Sequence, residues 1–234
     1  MKNQICFLFV AAAALSPAIA TAQFAPFQPD PRAGGWFAGA DLGGVVAQDS
    51  QLSRFANLSL NDRMEFGAGI GMDVYGGYAF NQYLAVGGTV GWTWNPINSI
   101  GGASVHDTSF SSVPFMANVV LQYPIAKTRI IPYVGAGVGG ALTVFDSDGY
   151  TRYANGNSVT IYDAASDFVF AWQAFAGVRV ELNDNLSVGI GYRYLWMDSS
   201  SYRFEPDWYY GSTVRIGMDS VQSHLAALTF TMKF

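Results

Sequence analysis

The chain has a single cysteine, few charged residues and no long apolar run. Charged residues make up only 12% of its 234 residues, whereas roughly 25% is usual in a soluble domain. No stretch approaches the roughly 20 consecutive apolar residues that a transmembrane helix needs. The sequence therefore excludes a helical membrane protein. It is also atypical of a soluble domain, because half of its residues are hydrophobic.

The N-terminus has the pattern of a secretory signal peptide. Lys2 precedes an uncharged run from Ile5 to Ala14, and Ala20-Thr21-Ala22 offers a small-x-small cleavage site. We expect residues 1–22 to be removed and residues 23–33 to form a short periplasmic segment. Cys6 lies in the removed part, so disulfides, thiolate catalysis and cysteine-bound metals are excluded from the mature chain.

The mature chain is acidic. Without Lys2, 11 basic residues remain against 17 acidic residues, a net charge of −6. This balance argues against nucleic acid as a partner. Asp146-Ser147-Asp148-Gly149 looks like the start of a calcium loop, but its twelfth position is Asn157 where glutamate is required. We therefore predict neither a metal nor a cofactor.

Apolar residues alternate with small or polar ones along most of the chain. Between residues 66 and 80, for example, the apolar side chains share one parity and glycines or Asp73 occupy the other, which is the period of a β-strand. Eight segments follow this pattern: Gly35 to Val46, Phe66 to Phe80, Leu84 to Trp94, Val113 to Tyr123, Val134 to Val144, Phe168 to Leu182, Leu186 to Trp196, and Val221 to Phe234.

The connections between these segments alternate in length. Short turns fall near residues 81–82, 124–129 and 183–185, and long connections span 48–64, 96–111, 146–167 and 198–219. Outer-membrane barrels have short periplasmic turns and long extracellular loops. The sequence thus predicts an all-β fold over residues 34–234, an eight-stranded antiparallel transmembrane β-barrel with four long extracellular loops and three short periplasmic turns.

Aromatic residues of the outward parity gather near both ends of the predicted strands, as in the belts at membrane interfaces. The periplasmic set is Trp36, Tyr78, Phe80, Tyr123, Phe230 and Phe234, and the outer set is Trp92, Trp94, Phe115, Phe168, Phe170, Tyr192, Tyr194 and Trp196. The alternative is a soluble β-sandwich with these rings in its core. The signal peptide and the unequal connections favour the barrel.

Three motifs carry a resemblance to a known family: 228–234 (LTFTMKF), 132–139 (PYVGAGVG) and 191–195 (GYRYL). They resemble the small outer-membrane β-barrels that include opacity-type surface proteins and the OmpA transmembrane domain. The resemblance implies an outer-membrane location among lipid and lipopolysaccharide. It also implies that the barrel assembly machinery reads Phe230 and Phe234 as an assembly signal.

The parity opposite the apolar one faces the lumen. It contains the charged residues Asp41, Asp73, Arg179, Glu181, Arg193 and Lys233, and the amides Asn118, Gln122 and Gln173. The interior of an eight-stranded barrel is just wide enough for side chains to fill it, and buried charges there must be paired. We predict a plugged lumen in which Arg179 and Arg193 bridge the carboxylates, with Lys233 and Glu181 solvated at the periplasmic mouth.

Histidine offers the one enzymatic alternative. Some outer-membrane barrels modify lipid A with a His–Ser pair, in which the histidine activates the hydroxyl. His224 lies beside Ser220 and Ser223, and His106 lies near Asp107 and Ser109. Neither spacing is diagnostic, so we predict that the protein is not an enzyme.

The predicted loops are the remaining place for a specific function. The loops and their edges hold twelve acidic and five basic residues, and the fourth loop has an aromatic cluster of Tyr202, Phe204, Trp208, Tyr209 and Tyr210. Such rings anchor protein interfaces, or pack together to order a loop. We predict a structural or surface-interaction barrel, serving adhesion or envelope integrity, whose loops contact an extracellular protein partner. A small diffusion porin is the alternative.

Deletion of Phe234 is expected to reduce the folded barrel in the outer membrane several-fold, because the assembly signal is lost. The measurement is the heat-modifiable band of the membrane fraction on a gel, with Phe80→Ala as the control for loss of an outward rim aromatic. Equal amounts of folded protein in the deletion and the control would contradict the prediction.

Overall fold

A computed structural model describes residues 34–55, 58–105, 107–147, 150–154, 157–161, 164–204 and 214–234. The predicted signal peptide and the 23–33 segment lie outside these residues. In the described part, no helix is long and apolar enough to cross a membrane. Its regular structure consists of β-strands.

The strands, in chain order, are β1 (Gly35–Ala47), β2 (Ser50–Phe55), β3 (Leu58–Phe66), β4 (Ala68–Ala79), β5 (Leu84–Ile100), β6 (Ala103–Ser104), β7 (Thr108–Gln122), β8 (Ile130–Ser147), β9 (Tyr150–Ala154), β10 (Asn157–Ile161), β11 (Ala164–Glu181), β12 (Leu186–Met197), β13 (Ser200–Phe204), β14 (Val214–Met218) and β15 (Val221–Lys233). Eight of them, β1, β4, β5, β7, β8, β11, β12 and β15, correspond to the eight predicted segments, although β4, β7, β11 and β15 end one or two residues inside the predicted bounds.

These eight strands form a closed antiparallel barrel. Each pairs with the next in the order given, and β15 returns to pair with β1 from Phe37 opposite Lys233 to Ala47 opposite Ser223. The Phe234 N–H also donates to the Trp36 carbonyl at 2.9 Å. The predicted eight-stranded barrel is confirmed.

The side chains predicted to face lipid and those predicted to face the lumen do so in the structure, with few exceptions. Outward apolar side chains are exposed for contact with lipid, such as Val74 (60%) and Ile190 (65%), whereas the intervening side chains point inward. Phe66 is an exception, since the alternation assigned it to the outward set and it is only 9% exposed. The reason is that β3 ends at Phe66 and Gly67 separates it from β4.

Aromatic rings pack against each other near both rims. At the periplasmic end Tyr78 contacts Trp36 and Phe80, with ring centroids 5.4 and 5.5 Å apart. At the outer end Phe170 lies 6.5 Å from Trp196. Edge-on ring pairs of this kind contribute beyond the area that they bury.

Above the outer rim, the strands continue where the sequence predicted loops. The sheet runs β13-β14-β2-β3-β5, and the outer ends of β5, β7, β8 and β11 stay paired with one another. Between β11 and β13, Asp198 N–H donates to the Phe170 carbonyl at 2.9 Å, and Ser201 N–H donates to Asp167 Oδ2 at 2.7 Å. We call these eight strand segments the outer extension.

The four predicted long connections are present, but much of their described length is β-strand and not irregular loop. Alternation continues past the predicted ends of β5, β7, β8 and β11. Because the outward face meets water there, it carries polar residues, among them Asn98, Ser109, Ser111, Asp146 and Ser166. Short breaks near 48–49, 67, 198–199 and 219–220 interrupt the other strands and hide their continuity in the sequence.

Apolar side chains fill the interior of the outer extension and of the adjoining part of the barrel. The largest buried members are Leu52, Met64, Phe66, Ile97, Phe110, Phe145, Leu195, Met197, Tyr202, Phe204, Ile216 and Met218. Phe145 is fully buried, and its ring lies 5.9 Å from Tyr202 and 6.1 Å from Phe204. We call this cluster the apolar plug.

The apolar plug closes the lumen in a different way from the one that the sequence predicted. Paired charges were expected to close the lumen, whereas packed and mainly apolar side chains close its outer half. The charged residues lie below it, towards the periplasm. Inward rings contributed by the predicted loops fill the outer half, so this region needs no buried charge.

Phe145→Ala is expected to destabilise the protein by about 3–5 kcal/mol, as usual when a buried phenylalanine is truncated and leaves a cavity. The measurement is urea-induced unfolding in lipid vesicles.

Phe168→Ala is the matched control, because Phe168 is an outward ring that is 65% exposed. A loss of stability as large in Phe168→Ala as in Phe145→Ala would contradict the assignment of a plug.

Candidate functional site

Below the apolar plug, the lumen contains a cavity of about 800 Å³. Its walls carry the predicted lumen charges, and residues of all three periplasmic turns, including Asn81, Pro124 and Asn183, line its lower end. Leu225 belongs to the lining at the other end. The cavity therefore opens to the periplasm and ends blindly below the plug.

A buried ion pair spans the middle of the cavity. Arg193 Nη1 donates to Asp73 Oδ1 at 2.6 Å, and the two side chains are 8% and 2% exposed. Gly91 lies opposite Asp73, and a Cβ at Gly91 would come within 2.1 Å of Asp73 Oδ1. The glycine at this register position thus leaves the space that the carboxylate occupies.

Asp41 faces the same ion pair without a strong partner. It lies directly across the β1–β4 ladder from Asp73, and its Oδ1 is buried with no hydrogen bond in the described part of the chain. Carboxylates opposed across strands repel each other, and Arg193 neutralises only one of them by direct contact. A cavity wide enough for water permits this arrangement.

Arg179 does not bridge carboxylates as predicted. It donates to Gln122 Oε1 and, at 3.5 Å, to Thr231 Oγ1, and its guanidinium lies 5.1 Å from the centre of the Tyr133 ring. Among the described residues it forms no ion pair. The ladders through Gly189 and Thr229 place Arg179 in the same register row as Asp41, but its guanidinium contacts Gln122 and Thr231 instead.

Lys233 and Glu181 are paired at the periplasmic mouth, although the sequence analysis left them solvated. Lys233 Nζ lies 2.5 Å from Glu181 Oε1, and the glutamate side chain is only 5% exposed. Lys233 is 39% exposed, so water screens this pair more than the one at Arg193. The barrel wall shields the carboxylate, which then requires a cation.

Polar side chains continue the network around the cavity. Gln173 Nε2 donates to Asn118 Oδ1 at 2.6 Å, and Asn118 Nδ2 donates to Thr89 Oγ1 at 2.8 Å. Tyr75 OH lies 2.7 Å from Thr231 Oγ1. Tyr75 and Tyr133 were not among the predicted lumen residues, although both have the inward parity.

The His–Ser arrangement weighed as the enzymatic alternative does not form around His224. His224 Nε2 lies 2.8 Å from Gln48 Nε2, and its Nδ1 lies 2.5 Å from Tyr192 OH. Ser223 is buried on the opposite face of the strand, as expected of successive residues. Within the described residues no hydrogen bond joins His224 to Ser220 or Ser223, and His106 lies outside them.

The aromatic contact surface predicted for the fourth loop is only partly described. Tyr202 and Phe204 are 0% and 3% exposed in the apolar plug, so they are not available to a partner. Their prediction as contact residues was wrong, because β13 turns this parity inward. Trp208, Tyr209 and Tyr210 lie outside the described residues.

The residues of the predicted assembly signal both face outward. Phe230 is 50% exposed and Phe234 is 73% exposed, at the periplasmic end of β15. Their recognition by the assembly machinery stays a prediction.

Arg193→Met is expected to destabilise the barrel by about 3–5 kcal/mol, because it leaves Asp73 buried without its cation. Lys233→Met is the matched control at the mouth, with a smaller expected loss, because Lys233 is 39% exposed and water can replace it beside Glu181. The measurement is the free energy of unfolding in urea with lipid vesicles. Equal losses in the two variants would contradict the ranking of the two pairs.

The comparisons with known proteins agree on the fold. Neisserial surface protein A has 16% identity and a TM-score of 0.52, with 86% of this chain and 97% of that chain covered. Outer membrane protein OprG from Pseudomonas aeruginosa has 12% identity and a TM-score of 0.53, with 86% and 96% covered. A search of curated sequences gives no significant match.

The sequence itself matches a family. The model of the outer membrane protein beta-barrel domain matches residues 7–234, nearly the whole chain, which also supports the outer-membrane location. The chain therefore belongs to the outer membrane protein beta-barrel domain family.

Proposed function

We propose that the protein is a non-conducting barrel that holds a rigid β-structured surface above the outer membrane for contacts at the cell surface. The observation that carries this proposal is the apolar plug. Phe110, Phe145 and Tyr202 are each at most 1% exposed inside the outer extension. A hydrated solute crossing the barrel would have to displace this packed core.

Several contacts support the rigidity of the outer extension. Its strands are joined by backbone hydrogen bonds, and the Arg63 guanidinium donates to Asp49 Oδ2 across the outside at 2.5 Å. Ser99 Oγ donates to Glu65 Oε2 at 2.8 Å in the same region. A surface already ordered loses less conformational entropy on binding than a flexible loop does.

The outward face of the extension therefore replaces the predicted aromatic loop as the contact surface for an extracellular partner. Its described residues are mainly polar or charged, among them Arg54, Arg63, Glu65 and Arg203. Adhesion or envelope support both fit this arrangement. Outer-membrane lipid and lipopolysaccharide surround its base.

A small diffusion pore is the second candidate. The cavity of about 800 Å³ favours it, because the lower half of a passage already exists and opens to the periplasm. Conduction would need an alternative position of the plug.

Planar-bilayer recording distinguishes the two candidates. We expect no stable conductance steps from the wild-type barrel. We expect steps from a Phe66→Ala, Phe110→Ala, Phe145→Ala triple variant, which removes three rings of the plug. Heat modification on a gel verifies that both proteins are folded. Stable steps from the wild type would overturn the closed-lumen proposal.

A further inference from the structure

Two arginines oppose each other on the outer surface of the extension. Arg203 on β13 is the direct cross-strand partner of Arg215 on β14, and both are exposed. Directly opposed residues in an antiparallel pair have Cβ atoms about 4.5–5.5 Å apart, and like charges there are destabilising. The pair therefore has an unfavourable register unless an anion accompanies it.

A third arginine joins them from the next strand. Arg54 on β2 is the partner of Gly217, which lies two residues from Arg215 on the same outward face. A Cβ at Gly217 would lie 3.2 Å from the Arg54 Cβ, so Arg54 stands directly beside the glycine. Arg54, Arg203 and Arg215 form what we call the arginine cluster.

Small residues form the floor of the arginine cluster. Gly217 has no side chain, and its partner on β13 is Ser201, whose hydroxyl lies on the exposed face. Three arginines thus surround Gly217, and the hydroxyl groups of Ser53 and Ser201 lie beside the glycine as further donors. This geometry suits an anion that accepts several hydrogen bonds, such as a phosphate group.

The described carboxylates do not neutralise the arginine cluster. Arg63, on the same surface, is paired with Asp49, whereas no ion pair involving Arg54, Arg203 or Arg215 forms among the described residues. On the neighbouring β11, Asp167 accepts the backbone N–H groups of Phe168 and Ser201. Asp219 follows Gly217 on the same face of the chain without pairing with the cluster.

The height of the arginine cluster identifies the anion. Arg203 lies seven positions after Trp196 of the outer aromatic belt. With a rise of about 3.3 Å per residue and a strand tilt of about 40°, the cluster stands roughly 15–20 Å above the belt. The sugars of lipopolysaccharide occupy this layer, directly above the lipid headgroups.

We propose that the arginine cluster binds a phosphate group on the core saccharide of a lipopolysaccharide molecule beside the barrel. The proposal rests on the ordered extension described under the proposed function. The mature chain is acidic overall, so general attraction to an anionic surface is weak, and binding depends on this local group of cations. The bound phosphate would also relieve the repulsion between Arg203 and Arg215.

Binding is tested with the barrel in lipid nanodiscs and purified rough lipopolysaccharide that carries core phosphates. We expect the Arg203→Gln, Arg215→Gln double variant to bind at least tenfold more weakly than the wild type. Arg63→Gln is the matched control, because it removes one charge from the same surface but from a paired arginine. Equal binding by the wild type and the double variant overturns the proposal.

The ligand is identified with two further probes. Lipopolysaccharide whose core phosphates have been removed is expected to bind the wild type as weakly as the intact form binds the double variant. Inorganic phosphate is expected to compete only at much higher concentration, because it lacks the saccharide. Unchanged binding after dephosphorylation overturns the proposal.

The stability of the double variant relative to the wild type is an independent test, because the proposal predicts which protein is more stable with and without the ligand. Without lipopolysaccharide, the double variant should unfold at an equal or higher urea concentration than the wild type, since like-charge repulsion is removed. With the phosphorylated ligand the order should reverse. An unchanged order overturns the proposal, whereas conductance, which tests the closed lumen, is a separate measurement.

Discussion

Closure of β1 against β15 satisfies the backbone edges that an open sheet would expose to lipid. No water is available in the hydrocarbon region, so an unpaired N–H or C=O there would be costly. The ladder from Phe37–Lys233 to Ala47–Ser223 removes both edges. It also sets the circumference of the lumen and therefore the space that inward side chains must fill.

That fixed space is filled in two ways along the axis. The outer half holds apolar side chains in contact with one another, whereas the lower half holds ion pairs, amides and a cavity open to the periplasm. Buried charges require partners, and Arg193 supplies one to Asp73. Packed apolar side chains close the outer half of the barrel, and the polar walls of the cavity lie below them.

Sequence alternation predicted the strands and their lipid-facing sides well because each depends on neighbouring residues. It failed at Phe66, where a short irregular break resets the parity and the ring turns inward. Tyr202 was predicted to lie in a loop, but it also points inward, in β13 after the break at 198–199. Alternation also misassigned Arg179, whose contacts are with Gln122 and Thr231. Inward parity shows that a side chain enters the lumen, but the choice of partner depends on the stagger of strands around the barrel.

The strand number, the two faces of the strands, the likeness to small outer-membrane barrels and the acidic character of the chain could all be predicted from the sequence, because they follow from local periodicity and composition. The apolar core of the extension and the position of Arg54 beside Gly217, near the Arg203–Arg215 pair, became visible only in the folded barrel. Those contacts join strands distant in the chain, and their register is set by closure of the whole barrel.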